Sequence, residues 1–541
     1  MRIAAIMGGF AVLALLSCRN QPVYAPTAFD ELQWARASQN GELVNEGLER
    51  CRRFVEGWLQ HADSISGLIP RNLDQDLDIW NTKDAAADNY PFMVLTAAMT
   101  DSALFTGRMK DILETEQRLS NRIGRLPDTY RFSTQGFDAD SMDMDAIIFG
   151  ASEYIKDGLM PLTEWLGASP WSDRMLEMLD DIWAHAAIET PYGKIPSTNV
   201  EVNGELLQVM SRIYWMTGDE KYLEWSTRLA DYYLLGDHHP TRDAEAIRLR
   251  DHGCEIVSGL CECYVTIHFA QPEKKPTYQP HIHEMLDRIL ETGRNEDGLF
   301  HDVVNPQTGE VLSNRVADNF GYNLNGFYAV YQIDSVEAYR EATIKALATL
   351  APKYRNHAWE GTSADGYADA IEGALNLYNR EPVATTSDWI DSEMKVMWAK
   401  QREDGVIEGW HGDGNFARTT IMYCLWKSKG VTAKPWRSDL RLGAEMLHDT
   451  LWITLEPDSA WQGQLIFDKP RHQDILNLPF DWPRINQFPE WWVVPRKNQT
   501  YRVVNRDGID TVLNNLEDLR SGLTVHLSGK AVRFKVFPLG D

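Results

Sequence analysis

Residues 251–264 read DHGCEIVSGLCECY, and the stretches 318–331 (DNFGYNLNGFYAVY) and 365–378 (DGYADAIEGALNLY) repeat their frame. Each stretch has an Asp, a Gly eight residues later and a Tyr five residues after that Gly. Apolar residues at three- and four-residue spacing predict a helix over each stretch, and a more polar helical segment follows each one. A repeated pair of one buried and one solvated helix predicts a ring of helical hairpins.

The same pattern extends over most of the chain and indicates a mainly α fold. Buried helices are expected about every 50 residues, which suits helix pairs. Their expected starts are near Asp88, Asp143, Asn203, His252, Phe320, Gly366 and Asp413. We therefore predict an (α/α)6–7 toroid over residues 41–448, with a small β hairpin inserted at 299–312. After residue 448 alternating apolar residues between Pro, Asn and Gly predict a β-rich C-terminal domain over 449–541.

The frame also predicts where polar chemistry lies on the toroid. Its Asp residues could cap helices. The residues four positions later, Glu255, Tyr322 and Asp369, share a helical face with them. A carboxylate inside an otherwise apolar helix is costly unless it faces a wet cavity. We therefore expect Glu255 and Asp369 to be catalytic candidates at one rim of the toroid.

The N-terminus has the pattern of an export signal. Residues 1–18 read MRIAAIMGGFAVLALLSC, with an early Arg and an apolar run too short to cross a bilayer. The ending LLSC resembles a bacterial lipobox, in which Cys18 would carry the lipid; an ordinary signal peptide with a chance Cys is the alternative. Residues 19–40 are expected to be a tether. The sequence thus predicts an exported protein held by an N-terminal lipid anchor to a membrane of a bacterial cell envelope, in the periplasm or at the outer membrane.

The amino-acid composition limits the classes of molecule that the protein is expected to bind. A net charge of −26 argues against nucleic acid, which requires clustered Lys and Arg. The 19 Trp, 20 Tyr and 18 Phe residues suit a cleft that stacks sugar rings, besides filling a helical core. The five cysteines after Cys18 form no Cys-x-x-Cys pair, and no P-loop or Rossmann glycine pattern occurs. We expect no structural metal and no cofactor.

The helical pattern over roughly 41–448, with the phrase TGDEKYLEWSTRLADYYL (217–234), resembles the six-hairpin glycosidase superfamily. These α/α-toroid enzymes include uronide hydrolases and several polysaccharide lyases, and the resemblance leans toward unsaturated glucuronyl hydrolases and β-glucuronidases. It implies a carbohydrate substrate that contains uronic acid. By helix order it implies catalytic roles for Asp88 and Asp143.

Acidic residues near these two positions supply further candidates. Glycoside hydrolysis needs two carboxyl groups, one protonated and one ionised. Asp88 precedes Asn89 and Pro91, so it could also cap a helix. Asp143 and Asp145 belong to a run of four Asp residues, in which crowded charges would keep one carboxyl protonated as an acid. A solvated acidic loop or a calcium-like site is the alternative for that run.

Other residues of the same rim are candidates for substrate binding. Arg418 could pair with a sugar carboxylate through two hydrogen bonds. Trp80 and Trp410 could stack on a sugar ring. His252, Tyr322 and His411 complete the set.

Three functions remain open from the sequence. The leading hypothesis is an exported glycoside hydrolase acting on uronic-acid-containing glycans. A polysaccharide lyase would instead use Tyr322 or a His as base and Arg418 to neutralise the uronate. A surface lipoprotein that binds glycans without turnover would explain the lipobox and the aromatic residues, but not the carboxylates at successive helix starts.

Overall fold

The computed structural model describes residues 25–407, 414–495, 499–505, 510–513 and 516–539. Two π-helical segments, Thr82–Asn89 and Tyr154–Leu159, lead into helices of the fold, and short 3-10 helices span Asp251–Cys254 and Trp359–Thr362. The α-helices are α1 (Ala28–Gln60), α2 (Tyr90–Thr100), α3 (Ser102–Thr106), α4 (Arg108–Ser120), α5 (Met144–Glu153), α6 (Met160–Leu166), α7 (Pro170–Ala184), α8 (Val200–Thr217), α9 (Glu220–Leu234), α10 (Glu255–Ala270), α11 (Lys275–Thr292), α12 (Phe320–Asp334), α13 (Glu337–Lys353), α14 (Ala364–Tyr378), α15 (Ala384–Trp398), α16 (Asn415–Ser428), α17 (Arg471–Asp474) and α18 (Leu516–Ser521).

The strands are short and all named pairs are antiparallel. They are β1 (Ile79–Trp80), β2 (Asn121–Ile123), β3 (Leu126–Pro127), β4 (Tyr130–Arg131), β5 (Gly136–Phe137), β6 (Ile247–Arg248), β7 (His301–Val304), β8 (Val311–Val316), β9 (Thr432–Lys434), β10 (Leu440–Leu447), β11 (Thr450–Pro457), β12 (Ala460–Ile466), β13 (Tyr501–Asn505), β14 (Asp510–Leu513), β15 (Leu523–Ser528) and β16 (Val532–Pro538).

Seven inner segments form a closed ring. In order around the ring they are α2, the α5–α6 column with its π-helical segment, α8, α10, α12, α14 and α16, and each packs on the next. The helices α4, α7, α9, α11, α13 and α15 lie outside, each following its inner partner in the chain, while α1 packs on the outside of α16. The inner helices begin within a few residues of the positions expected from the sequence. The prediction of an α/α toroid is confirmed, and among the described residues the ring consists of six helical hairpins and the α1–α16 pair.

The frame glycines let inner helices approach closely. A Cβ on Gly259 of α10 would overlap the backbone of Gly204 in α8, and one on Gly373 of α14 would overlap Gly321 of α12. Only glycine has room at such backbone-to-backbone contacts. The glycines of two frames therefore set the spacing between neighbouring inner helices, whereas Gly326 of the third frame faces the Cys261 side chain.

The frame Asp residues do not cap the helices that follow them. Asp251 sits at φ 52° and pairs with Arg248 at 2.8 Å, while Asp318 pairs with Arg250 at 3.4 Å. Asp365 lies inside the first turn of α14, whose N-cap is Ser363. The capping interpretation of the frame is therefore wrong for these three residues, because ion pairs and the wall of a cavity engage their carboxylates instead.

The helix α1 joins the toroid to the C-terminal sheets. It packs on both β10 and β11, and Trp34, which is fully buried, donates a hydrogen bond from its indole nitrogen to the Phe534 carbonyl at 2.8 Å. The tether expected over 19–40 thus differs from the structure, since residues 28–40 already belong to α1. The sheets also begin earlier than the expected boundary at residue 448, with β9 and β10.

Two sheets make up the C-terminal part, with strand orders β10-β11-β16-β13-β14 and β15-β12-β9. Their facing apolar side chains form a core separate from the main core of the toroid. The hairpin expected at 299–312 is observed as β7 and β8. Among the residues that the structure describes, no helix combines the length and the apolarity that crossing a bilayer requires.

A loop between α17 and β13 enters the ring on the side where the inner helices end. The guanidinium of Arg484 donates to Glu164 of α6 at 2.7 Å, and the indole of Trp482 donates to Glu262 of α10 at 3.1 Å. The amide of Asn376 in α14 donates to the Arg484 carbonyl at 2.7 Å. This plug loop, residues 481–487, closes the floor of the ring.

Candidate active site

A polar cavity of about 460 Å³ lies at the ring centre, where the inner helices begin. Eight carboxyl groups and four Lys or Arg side chains line it, together with His252 and Tyr322. The lining residues are Arg71, Lys83, Asp84, Asp88, Lys156, Asp157, Asp251, His252, Glu255, Asn319, Tyr322, Glu360, Ser363, Asp365, Asp369, Asn415 and Arg418. We call this the rim cavity.

A second cavity of about 490 Å³ lies between the toroid and the C-terminal sheets, lined by residues such as Trp165 and Thr432. Its carboxylates form ion pairs with its arginines: Asp474 with Arg520 at 2.7 Å, and Asp468 with Arg471. The rim cavity gathers far more titratable side chains, so it is the better candidate for chemistry.

Two π-helical segments bring Asp88 and Asp157 into the rim cavity. The segments Thr82–Asn89 and Tyr154–Leu159 pack on each other. A Cβ on Gly158 would lie 2.6 Å from a Pro91 side-chain carbon and 2.8 Å from the Ala87 carbonyl oxygen, so the contact needs glycine. Single π-helical turns inside α-helices are frequent at functional sites. Here they place two carboxyl groups on adjoining walls of one cavity.

The environments of these two carboxyl groups push their pKa values apart. Burial raises the pKa of Asp88 well above its usual range, and the nearby carboxylates of Asp84 and Asp157 add to the rise. Burial would also raise the pKa of Asp157, but Lys156 and His252 outweigh it and hold that pKa below its usual value. One carboxyl is therefore protonated under conditions in which the other is ionised.

Direct contacts hold Asp157 in place. The ammonium of Lys156 donates to its Oδ1 at 2.7 Å, and the side-chain amide of Asn486 donates to the same oxygen at 2.9 Å. Asn486 belongs to the plug loop and sits at φ 61°, a left-handed conformation that Asn tolerates better than most residues. The plug loop thus reaches the floor of the rim cavity.

The same ammonium anchors Glu255. Lys156 donates to Glu255 Oε1 at 2.6 Å, and the Gln208 amide donates to Oε2. Burial raises the pKa of Glu255, against the opposing charge of Lys156. Because only 1% of the Lys156 side chain is exposed, these two carboxylates keep a buried charge compensated.

A second network surrounds Tyr322. Its hydroxyl lies 2.8 Å from Asp369 and 3.0 Å from Glu372, and its single proton can serve one of them at a time. Arg418 Nη2 donates to Asp369 at 2.8 Å. Arg418 also pairs with Glu372 at 2.7 Å and is 2% exposed. Burial raises the pKa of Glu372 to about 7, and the charge of Asp369 adds to the rise against the opposing charge of Arg418. The role expected for Arg418, binding a sugar carboxylate, is therefore not supported, since protein acids already occupy its guanidinium.

His252 stands between carboxylates. Its Nδ1 lies 3.0 Å from Glu201 and its Nε2 lies 3.3 Å from Asp251. Burial would lower the pKa of His252, but Glu201, Asp251 and neighbouring acids raise it to about 10. Behind the His252 ring lie Glu153 and Glu205. Together with Glu201 and His252, these two glutamates are grouped closely enough to hold a metal ion.

The sequence candidates divide into three groups. Asp88, His252, Glu255, Tyr322, Asp369 and Arg418 all line the rim cavity. Trp80 does not: it is 1% exposed in the main core, opposite Tyr130 in the pair β1–β4, so it offers no face for a sugar ring. Trp410, His411 and Cys18 lie outside the described residues.

Asp143 and Asp145 lie outside the rim cavity as well. Asp143 is the exposed N-cap of α5 and accepts from the amides of Asp145 and Ala146 at 3.1 and 3.2 Å. It precedes Asp157 by fourteen residues of one helical column, or roughly 20 Å along the axis. The structure thus assigns Asp143 a capping role, while Asp145 lies exposed in the first turn of α5.

Sequence reasoning missed Lys156, Asp157 and Asn486. The rule that a charged residue inside an apolar helix needs a wet cavity applies to Glu153, Lys156 and Asp157, which interrupt an apolar column. Applied to this column, that rule would have found Lys156 and Asp157. Asn486 gives no local signal, because it arrives from a loop more than 300 residues later in the chain.

Comparisons with known proteins identify no family. No model of a protein family matches the chain, and no curated protein matches it. Similar solved structures include an α-1,6-mannanase, GH76A, of Salegentibacter sp. HEL1_6 (11% identity, 70% of this chain and 98% of that chain, TM-score 0.40). Others are a D-mannose isomerase (10%, 60% and 88%, TM-score 0.40) and a possible GH105 member from Klebsiella pneumoniae subsp. pneumoniae MGH 78578 (12%, 51% and 80%, TM-score 0.38). Likeness this distant carries no argument about what the chain does.

Proposed function

We propose that the protein is a glycoside hydrolase that works in the rim cavity, with Asp88 as general acid and Asp157 as the ionised carboxylate. The observation that carries the proposal is the meeting of these two groups on adjoining π-helical segments in opposite protonation states. Glycosidases need this combination on the two sides of the scissile bond.

Each group has a defined task in that reaction. Asp88 gives its proton to the glycosidic oxygen as the bond to the leaving sugar breaks. Asp157 faces the positive charge that develops on the sugar ring, either activating a water molecule or attacking the anomeric carbon. Lys156 and Asn486 keep Asp157 ionised and oriented through their hydrogen bonds to Oδ1.

The pairing of charges in the cavity favours a neutral sugar over a uronic acid. Lys156 is matched by Asp157 and Glu255, and Arg418 by Asp369 and Glu372. Arg71 pairs with Asp76 and Asp84. A uronate would therefore depend on Lys83, an exposed side chain that lines the cavity. The uronic-acid substrate expected from the sequence stays a prediction, and a substrate panel decides between the two classes.

The lyase alternative fits the site less well. Burial raises the pKa of Tyr322 well above its usual range, and two carboxylates, Asp369 and Glu372, lie within hydrogen-bond distance of its hydroxyl. A phenol in that setting is a poor base for proton abstraction.

The test is a panel of oligosaccharides, half built from neutral hexoses and half containing uronic acid, incubated with the full-length protein. Hydrolysis is measured as new reducing ends without a gain in near-ultraviolet absorbance. We expect turnover of a neutral member and none by Asp88→Asn. Absence of turnover across both halves would overturn the proposal, and new absorbance from a conjugated double bond would establish the lyase instead.

Export is proposed separately, from residues 1–18 alone. A lipid on Cys18 would hold the enzyme at a cell-envelope membrane, where external glycans are met. We expect the full chain to fractionate with membranes and Cys18→Ala to be released, and equal fractionation of both would contradict the anchor.

A further inference from the structure

Three glutamates and a histidine meet behind the wall of the rim cavity. Glu201 and Glu205 are four residues apart on one face of α8, Glu153 is the last residue of α5, and His252 lies in the short helix before α10. One possible ligand atom from each residue lies within 4.8 Å of all the others. Three separate elements of the ring therefore direct metal-ligating atoms at one point.

Glu205 shows that the group is incomplete. Its side chain is fully buried, and neither of its carboxylate oxygens has a hydrogen-bond partner among the described residues. A buried ionised carboxylate without a partner costs several kcal/mol, so the group either takes up a proton or pairs with a cation. The nearest ammonium, Lys156, already bonds to Asp157 and Glu255.

We propose that Glu153, Glu201, Glu205 and His252 bind a divalent transition-metal cation, Zn²⁺ or Mn²⁺. Ligand-to-metal distances of about 2.0–2.4 Å keep any two ligand atoms of one ion within about 4.8 Å of each other, and no separation in this group exceeds that limit. The imidazole decides the class of ion: nitrogen with carboxylates suits Zn²⁺ and Mn²⁺, whereas Ca²⁺ and Mg²⁺ prefer oxygen alone.

The structure also provides a route to the site. The His252 side chain is 38% exposed and lines the rim cavity, while Glu205 beneath it has no exposure. An ion can thus enter from the cavity and meet His252 and Glu201 before Glu205. This differs from the expectation of no structural metal, which considered only Cys and His patterns.

The test uses the full-length protein after dialysis against a chelator. Zn²⁺, Mn²⁺, Mg²⁺ and Ca²⁺ are titrated separately by calorimetry, and bound metal is counted by elemental analysis. We expect one equivalent of Zn²⁺ or Mn²⁺ to bind and to raise the thermal midpoint. Because the readout is binding without substrate, failure of the hydrolase proposal leaves this result unaffected.

Variants assign the binding to these side chains. Glu205→Gln is expected to weaken binding at least about 100-fold, the upper end of what even outer-sphere changes cause. Glu224→Gln, an exposed residue of α9, is the matched control and should bind as wild type does. Thermal midpoints in chelator check folding, and Glu201→Gln replaces Glu205→Gln if the latter does not fold.

Two outcomes would overturn the proposal. One is no stoichiometric binding of Zn²⁺ or Mn²⁺, including the case in which only Mg²⁺ or Ca²⁺ binds. The other is equal affinity of wild type and the folded glutamine variant.

Discussion

Two acidic segments lie at the two ends of α5 and have opposite environments. Residues 138–145 contain four Asp side chains, all exposed, and Asp143 caps α5. Residues 153–157 contain Glu153, Lys156 and Asp157, which are buried or nearly so. Lys156 and Asp157 line the rim cavity, and Glu153 belongs to the proposed metal site. Here a dense run of acidic residues lies at a solvated edge, whereas an acid beside a buried cation lies in the candidate active site.

The largest expected effect comes from the buried segment. Asp157→Asn keeps the shape but removes the charge, and Lys156 retains Glu255 as its partner. We expect the catalytic rate to fall about 10²–10⁴-fold, measured as kcat on the substrate that the panel identifies. An unchanged thermal midpoint shows that the fold survives; wild-type kcat in this variant would remove Asp157 from the mechanism.

A stability measurement examines the cost of burying acids. Asp318 is 3% exposed, and burial raises its pKa to about 7 despite Arg250. Since the folded pKa exceeds the unfolded one, its stabilisation is complete below about pH 4 and is lost as pH rises through about 7. The free energy of unfolding of Asp318→Asn, measured with urea, should therefore rise relative to that of wild type by up to about 4 kcal/mol between pH 4 and pH 8. A pH-independent difference would contradict this burial effect.

The plug loop should matter less than the carboxylate that it holds. Asn486→Asp keeps the left-handed backbone but replaces an amide donor with a charge next to Asp157. We expect kcat to fall about 10–100-fold, and the acidic limb of the pH–rate profile to move to higher pH, because a second negative charge raises the pKa of Asp157. Asn477→Asp is the control: Asn477 is also left-handed but exposed, and its profile should match wild type. Identical profiles for both variants would separate the plug loop from the reaction.

The smallest effect is expected in the exposed segment. Asn caps a helix as well as Asp does, so Asp143→Asn should preserve α5 and change kcat less than about twofold. The assay is the same as for Asp157→Asn. A large loss of kcat in this variant would restore the catalytic role that the sequence suggested for Asp143.

Much of the fold followed from apolar periodicity, because the inner helices are buried all round and the outer helices on one side only. Phe320 and Asn203 lie at or near starts read correctly from the sequence. The position of the cavity was also predictable from the sequence, since Glu255, Tyr322 and Asp369 each lie one turn after a frame Asp.

The chemistry was harder to predict because it depends on pairing across the ring. Arg418 looked free in the sequence, but its partners Asp369 and Glu372 come from α14. Trp80 looked available for stacking, but its strand turns it into the core. Asn486 comes from the far end of the chain, and contacts between distant segments leave no local pattern.

A crystal structure of Asp88→Asn with an oligosaccharide that the wild type cleaves would show directly where the sugar binds. We expect a sugar ring inside the rim cavity, between residue 88 and Asp157, with its glycosidic oxygen within hydrogen-bonding distance of residue 88. A sugar bound instead along the exposed edge of residues 138–145, with the rim cavity empty of it, would contradict the claim.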